Sequence, residues 1–383
     1  MNVEIVTVND RETWNSALAT LPGAHILQSW EWGEFKRVTG WQPIRVAYTR
    51  AGAVVGMVSM GVRQVGPFNA LYAPKGAVLD YSDTTLAAFV LDHLQQIARH
   101  YRAVWLKIDP DVIAASGDPN DDPVPGTPEA GAASLVQARE NMGADPVGTR
   151  LMGDLRDRRW RFSRDQVQFR NTVVIDLARP LDAILASMNQ STRRKIRIAE
   201  KAGVTIRHGS PDDLDLLYTL YQTTGARDGF LIRPRSYYVE AWARFMEAGM
   251  AEPLIAEYQG RAIAHVILYT FGRTCWYFYG ASSDDARDAM PNYGLQWAAL
   301  QWAHGRGMSA YDMWGAPDSF SEGDPLWGVY QFKRGFRGAV TRHVGAWDYV
   351  PFPPLYTAYE NLMPRVRAWL RGRAATPDPS HQP

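Results

Sequence analysis

Cysteine is nearly absent from this chain of 383 residues, since Cys275 is the single one. One thiol excludes an internal disulfide framework and a cysteine-rich metal site. Cys275 lies in the apolar run Thr274–Tyr279, a setting typical of a small buried residue rather than a nucleophile. The eight histidines have no metal-ligand spacing, so the sequence predicts no metal.

Long apolar runs and an excess of one charge are also lacking. No window of about 18 residues is apolar enough to cross a membrane, and the N-terminus does not resemble a signal peptide. These absences predict a soluble, cytoplasmic protein. The net charge of +1 excludes a protein that binds nucleic acid over its whole surface, although it leaves a local basic face open.

Three catalytic motifs are missing: the Walker-type glycine loop, the His-Glu-x-x-His pair and the Gly-x-Ser-x-Gly elbow. Their absence leaves no recognisable apparatus for nucleophilic or metal-assisted chemistry. Aromatic residues are abundant instead, with 14 Trp and 18 Tyr. Such rings pack cores, and they also line clefts that bind polar ligands.

An internal repeat is the strongest positive signal. Gly52 and Gly260, 208 positions apart, each precede an apolar run with a small residue in the middle. A second strand ending in aromatics follows (Tyr72; Tyr277 and Tyr279), then a helix and a third strand. A fixed period predicts two copies of one α/β unit, with a functional site in or near the groove between them.

The chain outside the repeat predicts further elements. Residues 111–150 are rich in Pro, Gly, Asp and Ala, which favours an insertion or a mobile loop with one short helix. Apolar spacing predicts helices over 181–202, 214–223, 235–248, 292–304 and 355–370. The predicted divisions are a first domain over 1–170, a second over 171–346, a C-terminal helical segment over 347–373 and a disordered tail over 374–383.

Four segments together resemble a known family: Gln28–Trp41, Leu106–Pro110, Ser191–Gly203 and Tyr330–Phe336. Their order and spacing are similar to those of the Fem family of peptidoglycan interpeptide-bridge aminoacyltransferases, which transfer an amino acid from aminoacyl-tRNA to a wall precursor. The resemblance covers essentially the whole chain except 111–150 and the tail. It implies an α/β (α+β) fold of two tandem N-acetyltransferase-like domains, each a mixed sheet flanked by helices. A helical arm found in some members has no room here.

The implied reaction makes chemical sense without a cofactor, because the aminoacyl ester is already activated. An acceptor amine with a pKa near 10.4 is mostly protonated at pH 7, a handicap of about 4–5 kcal/mol. The site must take up a proton, stabilise an oxyanion and align two large substrates. The implied partners are aminoacyl-tRNA and a nucleotide-linked or lipid-linked muramyl peptide, with no role for DNA.

The resemblance also implies a binding site for the precursor. Lys36 matches a lysine that contacts the precursor's phosphates, and Arg233 with Tyr237 matches an arginine–tyrosine pair of the same pocket. Arginine suits a diphosphate because its planar fork binds bidentately. Arg227 is a competing candidate for the arginine. The alternatives are a solvated helix lysine and a loop arginine paired with a surface carboxylate.

The residues implied to be catalytic are Phe332, Lys333 and Asp109. Lys333 would stabilise the oxyanion or the tRNA terminus, its alternative being a surface lysine. Asp109 matches an aspartate suggested as proton acceptor or substrate anchor, against a structural turn aspartate. Tyr277 and Tyr279, two apart on a strand, are expected to share one sheet face, either in the cleft or in the core.

Basic residues suggest how RNA would bind. Arg193, Arg194, Lys195 and Arg197 lie on one predicted helix, where clustered charge suits phosphate contacts, although a solvated face explains it too. Five arginines between Arg156 and Arg164 form a second candidate patch. The final helix either rests on a membrane surface, giving a peripheral location, or packs on the first domain.

Two other functions stay open. An acyl-CoA-dependent N-acyltransferase would keep the fold, yet Ala73–Gly76 and Met290–Gly294 lack the basic glycine loop that such enzymes present to the pyrophosphate. A non-catalytic protein that binds precursor or tRNA is the other alternative.

Overall fold

The computed structural model describes residues 3–118 and 142–357. Its strands are β1 (Val3–Thr7), β2 (Gln42–Arg50), β3 (Ala53–Val65), β4 (Phe68–Ala73), β5 (Val78–Leu79), β6 (Ala103–Ile108), β7 (Ile113–Gly117), β8 (Met142–Ala144), β9 (Arg161–Phe162), β10 (Asn171–Asp176), β11 (Thr205–His208), β12 (Ala251–Tyr258), β13 (Arg261–Phe271), β14 (Thr274–Ser282), β15 (Ala310–Ala316), β16 (Ala339–His343) and β17 (Trp347–Tyr349). Its α-helices are α1 (Arg11–Thr20), α2 (Trp30–Arg37), α3 (Thr84–His100), α4 (Pro146–Asp157), α5 (Leu181–Ser187), α6 (Gln190–Ala202), α7 (Leu214–Asp228), α8 (Arg235–Glu247), α9 (Pro291–Gly305) and α10 (Trp327–Lys333).

These strands form two mixed sheets. The first has the order β1-β2-β3-β4-β6-β17-β9, with β5 beside β3, and the second has the order β11-β12-β13-β14-β15-β10-β16-β7-β8. Among the described strands, β4 pairs in parallel with β6 and β14 with β15, while the other pairs are antiparallel. Each parallel pair is joined by one helix, α3 or α9, as a parallel crossover requires.

The predicted duplication is present down to its local irregularities. The β2–β3 and β12–β13 hairpins each carry one bulge, at Val55 and at Ile263, again 208 positions apart. A bulge adds one residue to a strand and bends it. The two hairpins therefore bend at equivalent positions.

Both hairpin tips have two consecutive residues with positive φ, Ala51 (50°) and Gly52 (79°), and Gln259 (52°) and Gly260 (75°). Consecutive positive φ values are the geometry of a type I′ turn, which matches the twist of the flanking strands. A glycine at the second position carries no steric cost there. The repeated glycines thus fix the register of both hairpins.

Gly52→Ala and Gly260→Ala are each expected to lower the free energy of unfolding by about 1 kcal/mol, because a Cβ is strained at positive φ. Gly153→Ala is the matched control. It lies inside α4, and a Cβ added there would meet no atom within 4 Å, so this change should instead raise stability by about 0.5–1 kcal/mol. Urea unfolding of the three variants measures the change in the free energy of unfolding. A change of the same sign in all three would contradict this account of the turns.

The chain crosses between the sheets where a loop was expected. Strands β7 and β8, inside the predicted loop 111–150, pair with each other and extend the second sheet at β16. Residues 119–141 lie outside the described residues. The Ala- and Gly-rich sequence of β7 has little apolar alternation, so the open edge of β16 rather than local pattern makes it a strand.

The predicted C-terminal helical segment begins with a strand rather than a turn. Residues 347–349, expected to precede a helix, form β17 in the first sheet between β6 and β9. Val350 and Tyr356 then pack on Val104 of that sheet, and a helical turn spans 353–357. The rest of the predicted helix over 355–370 and the tail over 374–383 lie outside the described residues.

The single helix predicted over 181–202 is two helices. Met188 and Asn189 have extended ψ values of 157° and 145°, so the chain turns between α5 and α6. The amide of Asn189 donates to the carbonyl of Gly335, 3.0 Å away. This tertiary hydrogen bond replaces the one that a continuous helix would make.

Three large apolar cores lie within the described residues, besides the small cluster of Val104, Val350 and Tyr356. One lies on the first sheet and one on the second, as expected of two similar units. A third contains Trp14 and Phe35 from the first half with Trp242, Phe245 and Tyr269 from the second. This shared core packs α2 against α8 and brings side chains of both halves to one face.

Candidate functional site

A cavity of about 200 Å³ lies beside α2. We call it the cation pocket; its lining includes Trp32, Lys36, Trp41, Ser59, Tyr72, Pro74, Val167, Gln168 and Arg233. Lys36 comes from the first half of the chain and Arg233 from the second. The shared core therefore assembles two of the sequence-predicted residues in one place.

Lys36 lies in a ring of aromatic side chains. Its Nζ donates to the hydroxyl of Tyr237 at 2.7 Å and is 4.5 Å from the ring centroid of Trp32. The Arg233 guanidinium is 4.7 Å from the Tyr237 ring centroid. Burial, and secondarily the charge of Arg233, lowers the pKa of Lys36 to about 7.

Neither cation has a carboxylate partner among the described residues. Glu34, the nearest acidic residue along α2, pairs with Arg45 at 2.9 Å. Two adjacent cations that lack a counter-ion repel each other, and the charge of Arg233 adds to the larger effect of burial in lowering the pKa of Lys36. Such a pair favours a bound anion.

Two local features place Lys36. The Ser29 hydroxyl caps α2 by accepting from the amide of Trp32, so the helix begins at Trp30 and presents Lys36 in its last turn. The buried amide of Gln28 accepts from the Ser59 amide and donates to the carbonyls of Ser59 and Pro74. Since Ser59 and Pro74 both line the pocket, Gln28 fixes its wall.

A larger cavity, of about 560 Å³, opens in the second sheet. We call it the aromatic cavity; its lining includes Phe169, Tyr221, Phe230, Tyr277, Phe278, Tyr279, Gln296, Trp314, Phe332 and Lys333. Strands β14 and β15 pair only from Thr274 to Trp276. Beyond that they separate, and the gap between them forms the cavity.

Lys333 is buried at the end of α10, which excludes the surface lysine considered as its alternative. Its Nζ donates to the carbonyl of Gly315 at 2.6 Å and lies 5.9 Å from the ring centroid of Tyr277. Burial lowers the pKa of Lys333 to about 7, opposed by the charge of Asp312. This ammonium can therefore exist in either protonation state near neutral pH.

The expectation that Tyr277 and Tyr279 share one sheet face is wrong. A bulge at Phe278 lets Tyr277 pair with Leu268 and Tyr279 with Ile267, so the two rings leave opposite faces of the strand. Tyr277 packs on the core of the second sheet and Tyr279 on the shared core. Both still border the aromatic cavity, because it passes through the gap beside the strand.

Asp109 is buried behind the cation pocket. Its carboxylate accepts from the hydroxyl of Tyr72 at 2.7 Å and from the amide of Lys75 at 2.6 Å. Burial raises its pKa to about 6. Tyr72, which lines the pocket and also contacts Gln168, is the route by which Asp109 can influence a ligand. Sequence reasoning assigned no role in the site to Tyr72 or Gln168, because only the fold brings Tyr72 to Asp109 and Gln168 to Tyr72.

The cation pocket and the aromatic cavity are neighbours. Val167 and Gln168 line the first while Phe169 lines the second. Phe230 lines the aromatic cavity and Arg233, three residues later, lines the cation pocket. Residues 167–169 and 230–233 thus form the boundary between the cavities. Ligands bound in the two cavities would therefore be neighbours.

The competing arginine lies elsewhere. Arg227 borders the aromatic cavity, where its guanidinium pairs with Asp228 at 2.7 Å and Asp284 at 3.3 Å. Arg233 is the arginine that shares a pocket with Lys36. The sequence left Arg227 and Arg233 as alternatives, and the structure places only Arg233 beside Lys36.

The four basic residues predicted to bind tRNA, all on α6, divide into two pairs. Arg193 donates to the carbonyls of Ala186 and Met188 at the end of α5, and Lys195 donates to the Tyr293 hydroxyl at 2.9 Å. Arg194 and Arg197 are exposed. Half of the predicted cluster therefore has an internal structural contact, and half remains open to solvent.

Within residues 3–118 and 142–357, no three His, Cys, Asp or Glu side chains converge as metal ligands would. The same residues contain no helix with the length and apolarity needed to cross a bilayer.

Comparison with known proteins places this arrangement in a family. The model of the FemAB family matches residues 10–258 and 243–363. This chain belongs to the FemAB family. A lipid II:glycine glycyltransferase of Staphylococcus aureus (strain USA300) is 26% identical over 413 residues, covering 90% of this chain and 92% of the relative. One from Staphylococcus saprophyticus subsp. saprophyticus is 25% identical over 408 residues with the same coverage.

Solved structures agree on the fold of this FemAB-family chain. The crystal structure of FemX superposes with a TM-score of 0.78 at 23% identity, covering 93% of this chain and 100% of that one. A tandem GNAT protein from the clavulanic acid biosynthesis pathway gives a TM-score of 0.50 at 13% identity, over 91% and 98% of the two chains. The predicted tandem acetyltransferase-like α/β fold is confirmed, and the chain is a transferase, as predicted.

Proposed function

We propose that this chain transfers an amino acid from aminoacyl-tRNA to the stem-peptide amine of a peptidoglycan precursor. The observation that carries the proposal is the pair of adjoining cavities, one with two neighbouring cations and one with a buried lysine among aromatic rings. The curated relatives are named for glycyl transfer involving lipid II, which supports a muramyl-peptide acceptor. Transfer between two large substrates requires two neighbouring sites, and the adjoining cavities support the proposal for this reason.

The cation pocket is the proposed site for the diphosphate of the precursor. Arg233 would bind two of its oxygens through the guanidinium fork, and Lys36 would act as a point charge held by Tyr237. An arriving diphosphate raises the pKa of Lys36, since it supplies a counter-ion. Binding and protonation are therefore coupled at this lysine.

The aromatic cavity is the proposed site for the aminoacyl end of the tRNA. The acceptor amine attacks the ester carbonyl, a C–N bond forms, the C–O bond to the ribose breaks, and the ribose oxygen receives a proton. Protonated Lys333 would stabilise the tetrahedral oxyanion from its fixed position beside Gly315 and Tyr277. Asp109, acting through Tyr72, would orient the acceptor or receive its proton.

Removing both exposed arginines of α6 is expected to weaken tRNA binding. In Arg194→Ala/Arg197→Ala, the slope of log Kd against log salt should fall by about 1.5, because two phosphate contacts to a flexible RNA strand are lost. Filter binding across a salt series measures it. Arg261→Ala/Arg273→Ala, which removes two exposed arginines at the β12–β13 and β13–β14 turns, should leave the slope unchanged. Equal slopes in both double variants would contradict a role for α6.

The function itself is tested with purified protein, total charged tRNA and either the nucleotide-linked or the lipid-linked precursor. Mass spectrometry should show a precursor heavier by one amino-acid residue, and ribonuclease treatment of the tRNA should abolish the gain. Acylation from an acyl-CoA donor without tRNA would instead establish the alternative transferase. Binding of both substrates with no product from any precursor would indicate a non-catalytic binding protein.

A further inference from the structure

Leu231 is the most solvent-exposed of the large apolar side chains in the described residues, at 96%. It lies in the loop of residues 229–234, between α7 and α8. Exposed apolar residues are common when they lie singly on ordinary surface. This one is unusual because of how it is held and what lies beside it.

The loop on both sides of Leu231 is anchored. The ring of Phe230 lies 5.6 Å from that of Tyr221, and Ile232 packs so closely on Gly225 that a Cβ there would come within 2.9 Å of it. The amide of Arg233 donates to the Tyr238 hydroxyl at 3.2 Å. Leu231 therefore projects from a pinned loop, and its exposure belongs to the folded state.

The loop that carries Leu231 borders the cation pocket, because Arg233, two residues after Leu231, lines that pocket. Val167, which is 52% exposed, also lines it, so we assign both apolar residues to the rim of the cation pocket. Inside the rim are Lys36 and Arg233, neither paired with a carboxylate among the residues described. An apolar rim around such positive charge is complementary to an anionic lipid surface, which presents phosphates beside acyl chains.

We propose that Leu231 and Val167 dock the mouth of the cation pocket on a bilayer, at the boundary between headgroups and acyl chains. The inference rests on the proposed function and adds to it the surface through which the cation pocket would meet a lipid-linked acceptor. The diphosphate of a lipid-linked precursor lies at headgroup depth. An enzyme that binds it through a recessed pocket must bring that pocket flush with the membrane. Two apolar side chains at the rim achieve this orientation, while the cations within add attraction to anionic lipid.

The test is sedimentation with vesicles of phosphatidylethanolamine and phosphatidylglycerol that contain no precursor. The full chain should partition to these vesicles, and Leu231→Asp should lower the partition coefficient at least about tenfold, since an inserted leucine is lost and a charge is added. Ile5→Asp is the matched control, because Ile5 is a half-exposed apolar residue on the edge strand β1, away from both cavities. It should partition as the unaltered chain does.

A second measurement separates this inference from the proposed function. Transfer to the soluble nucleotide-linked precursor should be unchanged in Leu231→Asp, and transfer to lipid-linked precursor in vesicles should fall about tenfold through KM. An unaltered chain that does not sediment with vesicles would overturn the docking surface, as would equal losses in Leu231→Asp and Ile5→Asp. Absence of transfer to both precursors, with vesicle binding intact, would overturn the function and leave the surface standing.

Discussion

Lys333→Met is expected to lower kcat for aminoacyl transfer about 10²–10³-fold, with little change in KM for the acceptor. The proposed role of the ammonium is to stabilise charge that develops only in the transition state, and removing one such donor has an effect of this size. Steady-state kinetics at pH 7 with charged tRNA and precursor measures it. Methionine keeps the length and apolar stem of the side chain, so the cavity keeps its shape.

Arg334→Met is the control for Lys333→Met. Arg334 follows Lys333 directly, contacts Gln331 and lines neither cavity, so its loss should leave kcat within about twofold. The melting temperature of Lys333→Met should not fall, because burial already disfavours the charged lysine. A large loss of stability with normal kcat would make Lys333 a structural residue.

The pH dependence of the transfer rate is an independent test of the proposed role of Lys333. The pKa of Lys333 is about 7, so the ammonium is lost as pH rises through that value, while the fraction of neutral acceptor amine still increases up to its pKa of about 10.4. The two trends cancel above pH 7, so kcat measured at saturating precursor should level off there. Saturation removes the effect of Lys36 on precursor binding, so in Lys333→Met the acceptor amine sets the trend and kcat should keep rising with pH between about 7 and 9. A plateau in both proteins would argue against a protonated Lys333.

Arg233→Ala is expected to raise KM for the precursor about 10²-fold while kcat changes little. Loss of a bidentate charge-assisted contact accounts for this magnitude. Arg233→Lys should recover part of the affinity, since lysine restores the charge but not the planar fork. Binding of the nucleotide-linked precursor, measured by calorimetry, provides the same comparison without catalysis.

Arg235→Ala is the matched control for Arg233→Ala. Arg235 is two residues further along, pairs with Asp215 and does not line the cation pocket. Its removal should leave precursor affinity unchanged. If both variants lose affinity equally, a diffuse positive surface rather than the pocket binds the precursor.

Precursor affinity should also depend on pH. The ammonium of Lys36 is lost as pH rises through its pKa of about 7, so affinity should fall over about pH 6.5–8.5 as that group titrates. Arg233 contributes to depressing this pKa. In Arg233→Ala the pKa of Lys36 rises, and the fall in affinity should begin at higher pH. If the pH at the midpoint of the fall in affinity is the same in Arg233→Ala, Arg233 does not influence the pKa of Lys36.

Much of the scaffold followed from local sequence. Glycines at two turns, apolar strands after them and a helix between parallel strands repeat at a constant spacing, and local geometry is enough to specify a hairpin. The strands that sequence reasoning missed include β7, β8 and β17, short pieces whose pairing depends on strands outside their own segment. Edge pairing depends on a neighbour rather than on composition, so no local pattern marks such strands.

The site, too, has residues that the sequence predicted and residues that only the structure revealed. Resemblance supplied Lys36, Arg233, Tyr237 and Lys333, and the structure gathers the first three at one pocket. The resemblance did not supply Gln28 as the residue that holds the pocket wall, Tyr72 as the contact of Asp109, or the exposed Leu231. The roles of these residues depend on their tertiary surroundings. The opposite faces of Tyr277 and Tyr279 depend on one bulge that a strict two-residue period does not contain.

The order of residues is enough to establish two similar α/β units, a lone cysteine and cationic residues in a family order. Which of those cations are available to a ligand depends on the folded chain. Arg193, Lys195 and Arg227 have partners within the protein, whereas Lys36 and Arg233 come together with no counter-ion among the described residues. The physical reason is that the type of side chain specifies its charge, but packing sets its solvation and its neighbours.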